Sequence, residues 1–260
     1  MHPFINTAIK AIREAGKIVT KGYDRLDLIK ISEKNPKDFV TNIDKASEET
    51  IMDILHTAYP THGFLGEESG TTDGDEFQWI IDPLDGTTNF IHGLPHFSIS
   101  IALRVDTTIE HAVIYDPLKQ DLFIASRGEG AQKNDKRIRV SSQRSIQKCL
   151  LGTGFPFRSP EYRDKYYEML KTIAKQSVGI RRAGSAALDL AYVASGQLDG
   201  FWEFGLGAWD IAAGSLLIRE AGGLVVNPIT GGDDYLQAGH VVAGNPKITK
   251  ELLGIIKKYL

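Results

Sequence analysis

The spacing of apolar residues changes along the first half of the chain, and each spacing predicts an element. Residues 3–21 are amphipathic with helical spacing. The apolar positions of this predicted helix are Phe4, Ala8, Ile12, Ala15 and Val19. Residues 30–41 are polar and interrupted by a proline, which indicates a mobile loop or a short hairpin. DKASEETIMDILHTAYP predicts a second helix opening at Asp44, and the fully apolar FQWIIDP predicts a strand buried on both faces.

The pattern changes to period two from residue 97 to residue 140. Apolar and polar residues alternate within four segments that turn-forming residues separate, which predicts an antiparallel meander. The segments are FSISIALRV, TIEHAVIYD, DLFIASR and RIRVS. After about residue 149, strand and helix patterns alternate instead. We therefore expect an α+β fold in one domain, residues 1–260. Residues 1–148 would carry a large antiparallel sheet and residues 149–260 a smaller mixed sheet, with the active site between these halves.

Composition narrows the class of protein without identifying it. A chain of 260 residues with a net charge of −3 has no overall field that favours nucleic acid or anionic membranes. Cys149 is the single cysteine, which excludes an internal disulfide and a multi-cysteine zinc site. No apolar run approaches the roughly 20 residues of a membrane span. The N-terminus lacks a secretion signal, so we expect a cytoplasmic protein with no membrane partner.

Five acidic residues stand where a predicted strand ends or a predicted helix begins. They are Glu67, Asp82, Asp85, Glu203 and Asp210. Strand ends are where sheet proteins present ligands, and carboxylate oxygens are the ligands that Mg²⁺ requires. Asp44 also lies at a helix start, where an aspartate most often acts as a cap.

The stretch WIIDPLDGTTNF places two of these carboxylates in one sharp turn. Pro83 restricts the backbone after Asp82, so the turn can aim Asp82, Asp85 and the Leu84 carbonyl at one point. Gly86 permits an unusual backbone angle, and the N–H groups after it can bind an anion. Two carboxylates about 4 Å apart repel by roughly 4 kcal/mol, which favours a bound cation. The alternative is that Asp82 and Asp85 merely form an Asx-turn.

FLGEES, WIIDPLDGTTNF and AWDIAAG, in this order, resemble the motifs of the inositol monophosphatase family of metal-dependent phosphatases. The resemblance extends through most of the chain, and the C-terminal half is most similar to the bacterial extragenic-suppressor type. It implies a layered α-β-α-β-α sandwich of the inositol monophosphatase/fructose-1,6-bisphosphatase type. It also implies a homodimer, a requirement for Mg²⁺ and inhibition by Li⁺.

Carried over by motif, the resemblance implies a set of metal ligands. Glu67, Asp82 and the Leu84 carbonyl would hold the first Mg²⁺, and Asp82, Asp85 and Asp210 the second. Glu67 would also help to hold a third, weaker ion if one binds.

The resemblance assigns roles around the substrate as well. Gly86 and Thr87 would bind phosphate through backbone N–H groups, and Thr87 with Asp44 would polarise the attacking water. Glu203 would accept a hydrogen bond from an inositol hydroxyl, and Ala186 would offer a backbone contact. The alternatives are a solvated strand end for Glu203 and simple helix packing for Ala186. The implied catalytic residues are Asp44, Glu67 and Thr87, and the implied substrate contacts are Asp85, Gly86, Thr87, Ala186, Glu203 and Asp210.

Two segments depart from the family pattern. The family carries a lysine in the loop before DFVTNID, but neither Lys34 nor Lys37 aligns with it unambiguously, which leaves loop closure and the third ion open. GTGFPFR is unlike the animal enzymes, so substrate contacts there are also open.

The expected reaction is hydrolysis of a phosphomonoester, preferably myo-inositol 1-phosphate, by water that Mg²⁺ activates. Other sugar or nucleotide phosphates are alternatives, because the metal motif does not separate them. A second class of function is a contact with RNA polymerase or RNA, as in bacterial members linked to transcription antitermination. Residues 127–148 are rich in basic side chains, which suits that contact or a charge-guarded sheet edge. Those basic residues are Arg127, Lys133, Lys136, Arg137, Arg139, Arg144 and Lys148.

Overall fold

A computed structural model describes residues 2–35 and 38–260, with residues 34, 35 and 38 described as backbone only. Lys37 and the side chain of Lys34 therefore lie outside the described residues. The helices are α1 (Pro3–Tyr23), α2 (Asn42–Ala58), α3 (Thr87–Ile91), α4 (Arg163–Gln176), α5 (Ala186–Ala194), α6 (Ala208–Glu220), α7 (Tyr235–Ala238) and α8 (Pro246–Ile256). The strands are β1 (Ile31–Asn35), β2 (Asp38–Thr41), β3 (Gly63–Gly66), β4 (Gly70–Thr72), β5 (Phe77–Asp85), β6 (Ser98–Val105), β7 (Thr108–Asp116), β8 (Asp121–Ser126), β9 (Gly130–Lys133), β10 (Lys136–Arg137), β11 (Leu150–Thr153), β12 (Gly179–Arg181), β13 (Gly200–Phe204), β14 (Leu224–Val226) and β15 (His240–Gly244).

The larger sheet has eight strands in the order β10-β9-β8-β7-β6-β5-β3-β4. Strands β6 to β10 are sequential antiparallel neighbours, so the predicted meander is confirmed. The strand predicted at RIRVS is wrong in its bounds, because residues 138–141 lie outside any strand and β10 keeps only Lys136 and Arg137. The last long strand of the meander is instead β9, which the alternation did not predict and which ends at a tight turn with positive φ at Asn134 and Asp135. The pair β3–β5 is parallel, whereas the other pairs of this sheet are antiparallel. Strands β1 and β2 form a separate antiparallel hairpin, which resolves the expectation for residues 30–41 in favour of a hairpin.

The smaller sheet is mixed and has five strands in the order β12-β11-β13-β15-β14. Strand β11 pairs in parallel with both β12 and β13, while β15 pairs antiparallel with β13 and β14. The parallel pairs arise because α4 and α5 return the chain between successive strands, as parallel pairing requires.

Three hydrophobic cores hold five layers together. The first packs α1 and α2 against the outer face of the larger sheet, around Trp79 and Ile81. The second packs α5 and α6 between the two sheets, where Ile80 points from the opposite face of β5. The third packs α4 and α8 on the outer face of the smaller sheet, around Trp202. The α+β, α-β-α-β-α arrangement is therefore confirmed, and β5 is buried on both faces as its apolar run predicts.

Besides α3, which follows β5 directly, three helices begin close to the end of β5, and their first turns position the site. Helix α2 starts at Asn42, two residues earlier than predicted, because the Thr41 hydroxyl caps it and accepts from Ile43 N at 3.1 Å. Asp44 is thus the third residue of α2 rather than its cap. Helix α5 is capped by Ser185, and α6 begins after Gly207. Among the described residues, no helix is long and apolar enough to cross a membrane.

Candidate metal centre and substrate cavity

The turn at the end of β5 contains a bulge. Strand β5 pairs regularly with β6 up to Asp82, which lies opposite Ser100, but Asp85 then lies opposite Ser98. One extra residue is therefore accommodated on β5, which bends the strand and re-aims its side chains. Asp82 Oδ1 accepts a hydrogen bond from Leu84 N at 3.1 Å, so the segment is also an Asx-type turn. The turn and the clustering of carboxylates are compatible features of the same twelve residues.

Asp82, Asp85 and Asp210 form a buried carboxylate cluster. One carboxylate oxygen from each lies within 4.8 Å of the others, and all three side chains are buried. Burial raises the pKa of Asp82 well above its usual range, and the charges of Glu67, Asp85 and Asp210 raise it further. Burial, followed by the charge of Asp210, raises the pKa of Asp85 to about 7. Like charges in a desolvated site favour either protonation or a bound cation.

Helices α5 and α6 hold two of these carboxylates through their first turns. Asp85 Oδ2 accepts hydrogen bonds from Ser185 Oγ at 2.6 Å and from Ala187 N at 2.7 Å. Asp210 Oδ2 accepts one from Gly207 N at 2.6 Å. These bonds fix the orientation of both carboxylates, and the positive ends of the helices favour negative charge.

Glu67 follows β3 and approaches the cluster from the other side. Its backbone N–H donates to the Ile81 carbonyl oxygen at 3.2 Å, so Glu67 continues the pairing of β3 with β5 by one residue. Arg158 bridges Glu67 and Asp210, with a nitrogen 3.5 Å from Glu67 Oε1 and another 3.4 Å from Asp210 Oδ2. Arg158 belongs to GTGFPFR, the segment whose contacts the sequence left open. Nothing in its spacing assigned it to the site, because it is 91 residues from Glu67.

Asp44 and Thr87 come together as the resemblance implies. Thr87 Oγ1 lies 2.9 Å from Asp44 Oδ1 and 3.0 Å from the Leu84 carbonyl oxygen, and its single proton can be donated to only one of them at a time. Thr41 N also donates to Asp44 Oδ2 at 2.9 Å. Burial raises the pKa of Asp44, although the hydrogen bonds from Thr41 and Thr87 oppose that rise.

A cavity of about 550 Å³ opens in front of the cluster. Its wall contains the acidic residues Glu67, Asp82, Asp85, Glu203 and Asp210, together with Leu84, Gly86 and Thr87. Aromatic and basic side chains form much of the rest: Phe39, Phe155, Phe157, Phe204, Arg158 and Arg182. Ala186 is not part of this wall, and its backbone N–H lies toward Asp85. Asp44 is not part of the wall either, and it reaches the cavity only through its contact with Thr87. The structure thus brings the other predicted residues together around one space.

Gly86 is part of the cavity wall and has a left-handed backbone, φ = 101°. A Cβ at this position would also lie only 3.1 Å from the His96 carbonyl oxygen and 3.2 Å from that of Gly184. Only glycine satisfies both restrictions without strain, so the start of α3 stays open to a ligand.

Glu203 lines the same cavity as Thr87 and fits against Gly154. A Cβ on Gly154 would fall 1.9 Å from Glu203 Oε1, so the carboxylate occupies the space that the missing side chain leaves. Burial raises the pKa of Glu203 well above its usual range, and Asp210 and Asp189 raise it further. The positive charge of Arg182 opposes this rise in the pKa of Glu203. The Arg182 guanidinium also lies over two aromatic rings, 5.5 Å from the ring centroid of Phe155 and 5.7 Å from that of Phe157.

The donor set of the cluster fits Mg²⁺. Carboxylate oxygens, with the Leu84 carbonyl beside them, are the hard ligands that this ion takes, and the described residues offer no cysteine or histidine among them. Several like charges held together in a buried place also require compensation, which a divalent cation would supply.

Comparison with known proteins gives one consistent result. The family model for the inositol monophosphatase family matches residues 1–259. Nus factor SuhB of Pseudomonas aeruginosa is 52% identical over 266 residues, covering 100% of this chain and 98% of that protein. Extragenic suppressor protein SuhB from Bartonella henselae has a crystal structure with a TM-score of 0.96 and 42% identity, covering 100% of both chains. Inositol monophosphatase from Anabaena has a TM-score of 0.87 and 36% identity, covering 98% of this chain and 95% of that one.

Proposed function

The chain belongs to the inositol monophosphatase family, and from this premise we propose that it hydrolyses myo-inositol 1-phosphate in a Mg²⁺-dependent reaction. The observation that carries the proposal is the buried cluster of Asp82, Asp85 and Asp210 beside the turn at Gly86. Family membership supports a Mg²⁺-dependent phosphatase in general, and the choice of an inositol phosphate rests on Glu203. The 36% identical Anabaena relative, an inositol monophosphatase by name, favours the same substrate.

The proposed metal ligands are those implied by the motifs. Glu67, Asp82 and the Leu84 carbonyl would hold one ion, and Asp82, Asp85 and Asp210 another. Bound Mg²⁺ supplies Lewis-acid stabilisation of the phosphoryl group and lowers the pKa of a coordinated water. Because these ligands come from β3, β5 and α6, the correct geometry would depend on the packing of both sheets.

Thr87 and Asp44 are proposed to orient the attacking water. Thr87 Oγ1 can donate to Asp44, 2.9 Å away, and then presents its lone pairs to a water molecule as acceptors. The Leu84 carbonyl is the competing acceptor at 3.0 Å. A cation bound by that carbonyl would disfavour the competing bond, so metal binding and water orientation would be linked.

Glu203 is proposed to select a polyol leaving group. Glu203 lies on β13 and lines the same cavity as Gly86 and Thr87, the proposed phosphate contacts, so a ring hydroxyl of the substrate could reach its carboxylate. The aromatic wall formed by Phe155 and Phe157 favours a nucleotide as the competing substrate class, because a base can stack there. A homodimer and inhibition by Li⁺ remain predictions from family membership.

The test is phosphate release from inositol 1-phosphate, fructose 1,6-bisphosphate and 3′-phosphoadenosine 5′-phosphate, with Mg²⁺ titrated and Li⁺ added. We expect Mg²⁺-dependent, Li⁺-sensitive turnover with the highest kcat/KM for inositol 1-phosphate. Glu203→Gln should reduce kcat/KM for that substrate more than for the nucleotide. Preference for the nucleotide by wild-type protein would reject the inositol assignment and keep the phosphatase. No Mg²⁺-dependent turnover of any ester by folded protein would reject both.

A second candidate function is a role in transcription antitermination, which the 52% identical Nus factor favours. Basic side chains at the β10 edge and beyond it support such a contact, because five of them are exposed and none forms an ion pair with a described residue. These are Lys136, Arg137, Arg139, Arg144 and Lys148. By contrast, Arg127 pairs with Glu110 and Lys133 pairs with Asp121.

This candidate predicts salt-dependent binding of RNA polymerase or RNA that does not need the metal centre. Replacing Lys136 and Arg137 by glutamate should weaken such binding without changing phosphate release. Asp85→Asn should abolish phosphate release without changing the binding. Binding unaffected by the charge reversals would leave the β9–β10 hairpin as a charge-guarded sheet edge.

A further inference from the structure

One face of α2 contacts three separate parts of the candidate site. Asp44 accepts from Thr87 Oγ1 at 2.9 Å, and Ser47 Oγ donates to the Pro83 carbonyl at 2.8 Å inside the β5 turn. Glu48 lies beside them, since residues three and four positions apart share a helix face. Helix α2 therefore fixes pieces of the site that are far apart along the chain.

Glu48 clamps the backbone that follows Glu67. Glu48 Oε2 accepts a hydrogen bond from Glu68 N at 3.0 Å, and Oε1 accepts one from Ser69 N at 2.7 Å. The residue is 3% exposed, so water does not compete with these bonds. Gly66 makes room for the clamp, because a Cβ there would lie 2.5 Å from Glu48 Oε2.

The clamp leaves Glu67 fixed on both sides. Its own N–H is bound to Ile81 O at 3.2 Å, and the next two N–H groups are bound by Glu48. The backbone at Glu67 thus has a defined direction, and its side chain leaves toward the cavity rather than toward α2. Two charge-assisted bonds to a buried carboxylate are stronger than the neutral bonds of an ordinary turn.

We propose that Glu48 is a positioning residue for Glu67, and that it sets the affinity of the metal centre without contacting the ion. This inference rests on the proposed function, in which Glu67 is a metal ligand. Partners that orient a ligand are known to matter to metal affinity nearly as much as the ligand itself.

An alternative reading makes Glu48 part of a separate cation site. It lies in a surface hollow with Glu49, Asp53 and Glu68, which are all acidic. Both Glu48 oxygens already accept a backbone N–H, however, so the carboxylate is committed to the turn. The clamp explains the burial of Glu48, whereas an acidic hollow by itself does not.

The test compares Mg²⁺ binding by calorimetry in wild-type protein, Glu48→Gln, Glu48→Asp and the control Glu49→Gln. Glu48→Gln places an amide donor against an N–H, and Glu48→Asp keeps the charge but withdraws the carboxylate by one methylene. Both should weaken Mg²⁺ binding by about tenfold or more. Glu49→Gln removes the same charge from an exposed position of α2 and should bind as wild type does.

A double-mutant cycle with Glu67→Gln separates positioning from general damage. If Glu48 acts through Glu67, Glu48→Gln should have little further effect on Mg²⁺ affinity once Glu67 is replaced. Wild-type affinity in both Glu48 variants, or fully additive losses in the cycle, would overturn the positioning role and leave the phosphatase proposal intact. Unchanged Mg²⁺ binding in Glu67→Gln itself would remove Glu67 from the metal centre and overturn the positioning role as well, whereas the phosphatase proposal fails only if folded protein shows no Mg²⁺-dependent phosphate release.

Discussion

Neutralising Asp85 should stabilise the metal-free protein while it destroys the metal centre. In the folded state the ionised side chain is buried near Asp210, and burial is the larger of the two unfavourable effects. An asparagine side chain at this position would remove the charge and keep one carbonyl oxygen for the donors Ser185 Oγ and Ala187 N. Asp85→Asn is therefore nearly isosteric, and its main effect is electrostatic.

The size of the effect follows from the pKa. A rise from 3.8 to about 7 is a difference of about three pH units, which makes ionisation in the folded state unfavourable by about 4 kcal/mol. Hydrogen bonds to a neutral amide are about half as strong as those to a carboxylate, which offsets part of the gain. We expect a net stabilisation of roughly 1–3 kcal/mol at about pH 8, or a rise in Tm of several degrees for a chain of this size.

The assay is thermal unfolding at about pH 8, in chelator and in excess Mg²⁺. Asp85→Asn should melt above wild type in chelator, gain little from Mg²⁺, and release almost no phosphate. Asp116→Asn is the matched control, because Asp116 is also buried but pairs with Lys119 Nζ at 2.8 Å, and its neutralisation should lower Tm. An Asp85→Asn protein that melts below wild type in chelator and keeps the full Mg²⁺ response would show that the buried charge of Asp85 neither destabilises the metal-free protein nor binds the ion.

Three further predictions concern the same site. In chelator, Tm should fall as pH rises toward about 7, because Asp85 keeps its proton in the folded state below that pH, whereas the unfolded chain has already lost it. The free energy of unfolding should decrease by about 1 kcal/mol per pH unit in this range. A series of Tm values against pH measures the decrease, and a flat series would contradict it. Gly154→Ala should displace Glu203 and raise KM for inositol 1-phosphate about tenfold. Gly179→Ala is the control and should leave KM unchanged, because its added Cβ would lie 3.5 Å from the nearest atom. Equal kinetics in both variants would contradict the prediction. Thr87→Val should lower kcat by about 10²-fold or more, because it removes the hydroxyl that donates to Asp44. Thr87→Ser keeps a hydroxyl and should retain most of the activity. An unchanged kcat in the valine variant would exclude a role for that hydroxyl.

Local pattern was sufficient for much of the fold. The amphipathic run at residues 3–21 corresponds to α1, and the apolar run at FQWIIDP corresponds to β5. Alternation predicted the meander, because each of its strands pairs with the next one in sequence. Strand β4 was not predicted, since GTT is short, fully exposed and lacks a periodic signal.

The candidate site was predictable only as far as its residues sit in recognisable motifs. Asp82, Asp85 and Gly86 share one turn, so their proximity follows from sequence alone. Ser185 lies 100 residues from Asp85, and Arg158 lies 91 residues from Glu67, so tertiary packing alone brings these pairs together. Glu48 would read as an ordinary polar position of an amphipathic helix, because its partners are backbone N–H groups that carry no sequence signal.

A crystal soaked with Mn²⁺, used as an anomalous scatterer in place of Mg²⁺, would locate the metal centre. We expect anomalous density between the carboxylates of Asp82, Asp85 and Asp210 in wild-type crystals and none there in Asp85→Asn crystals. Clear density elsewhere on the protein, with none among these three carboxylates under conditions that support phosphate release, would contradict the assignment of the cluster as the metal centre.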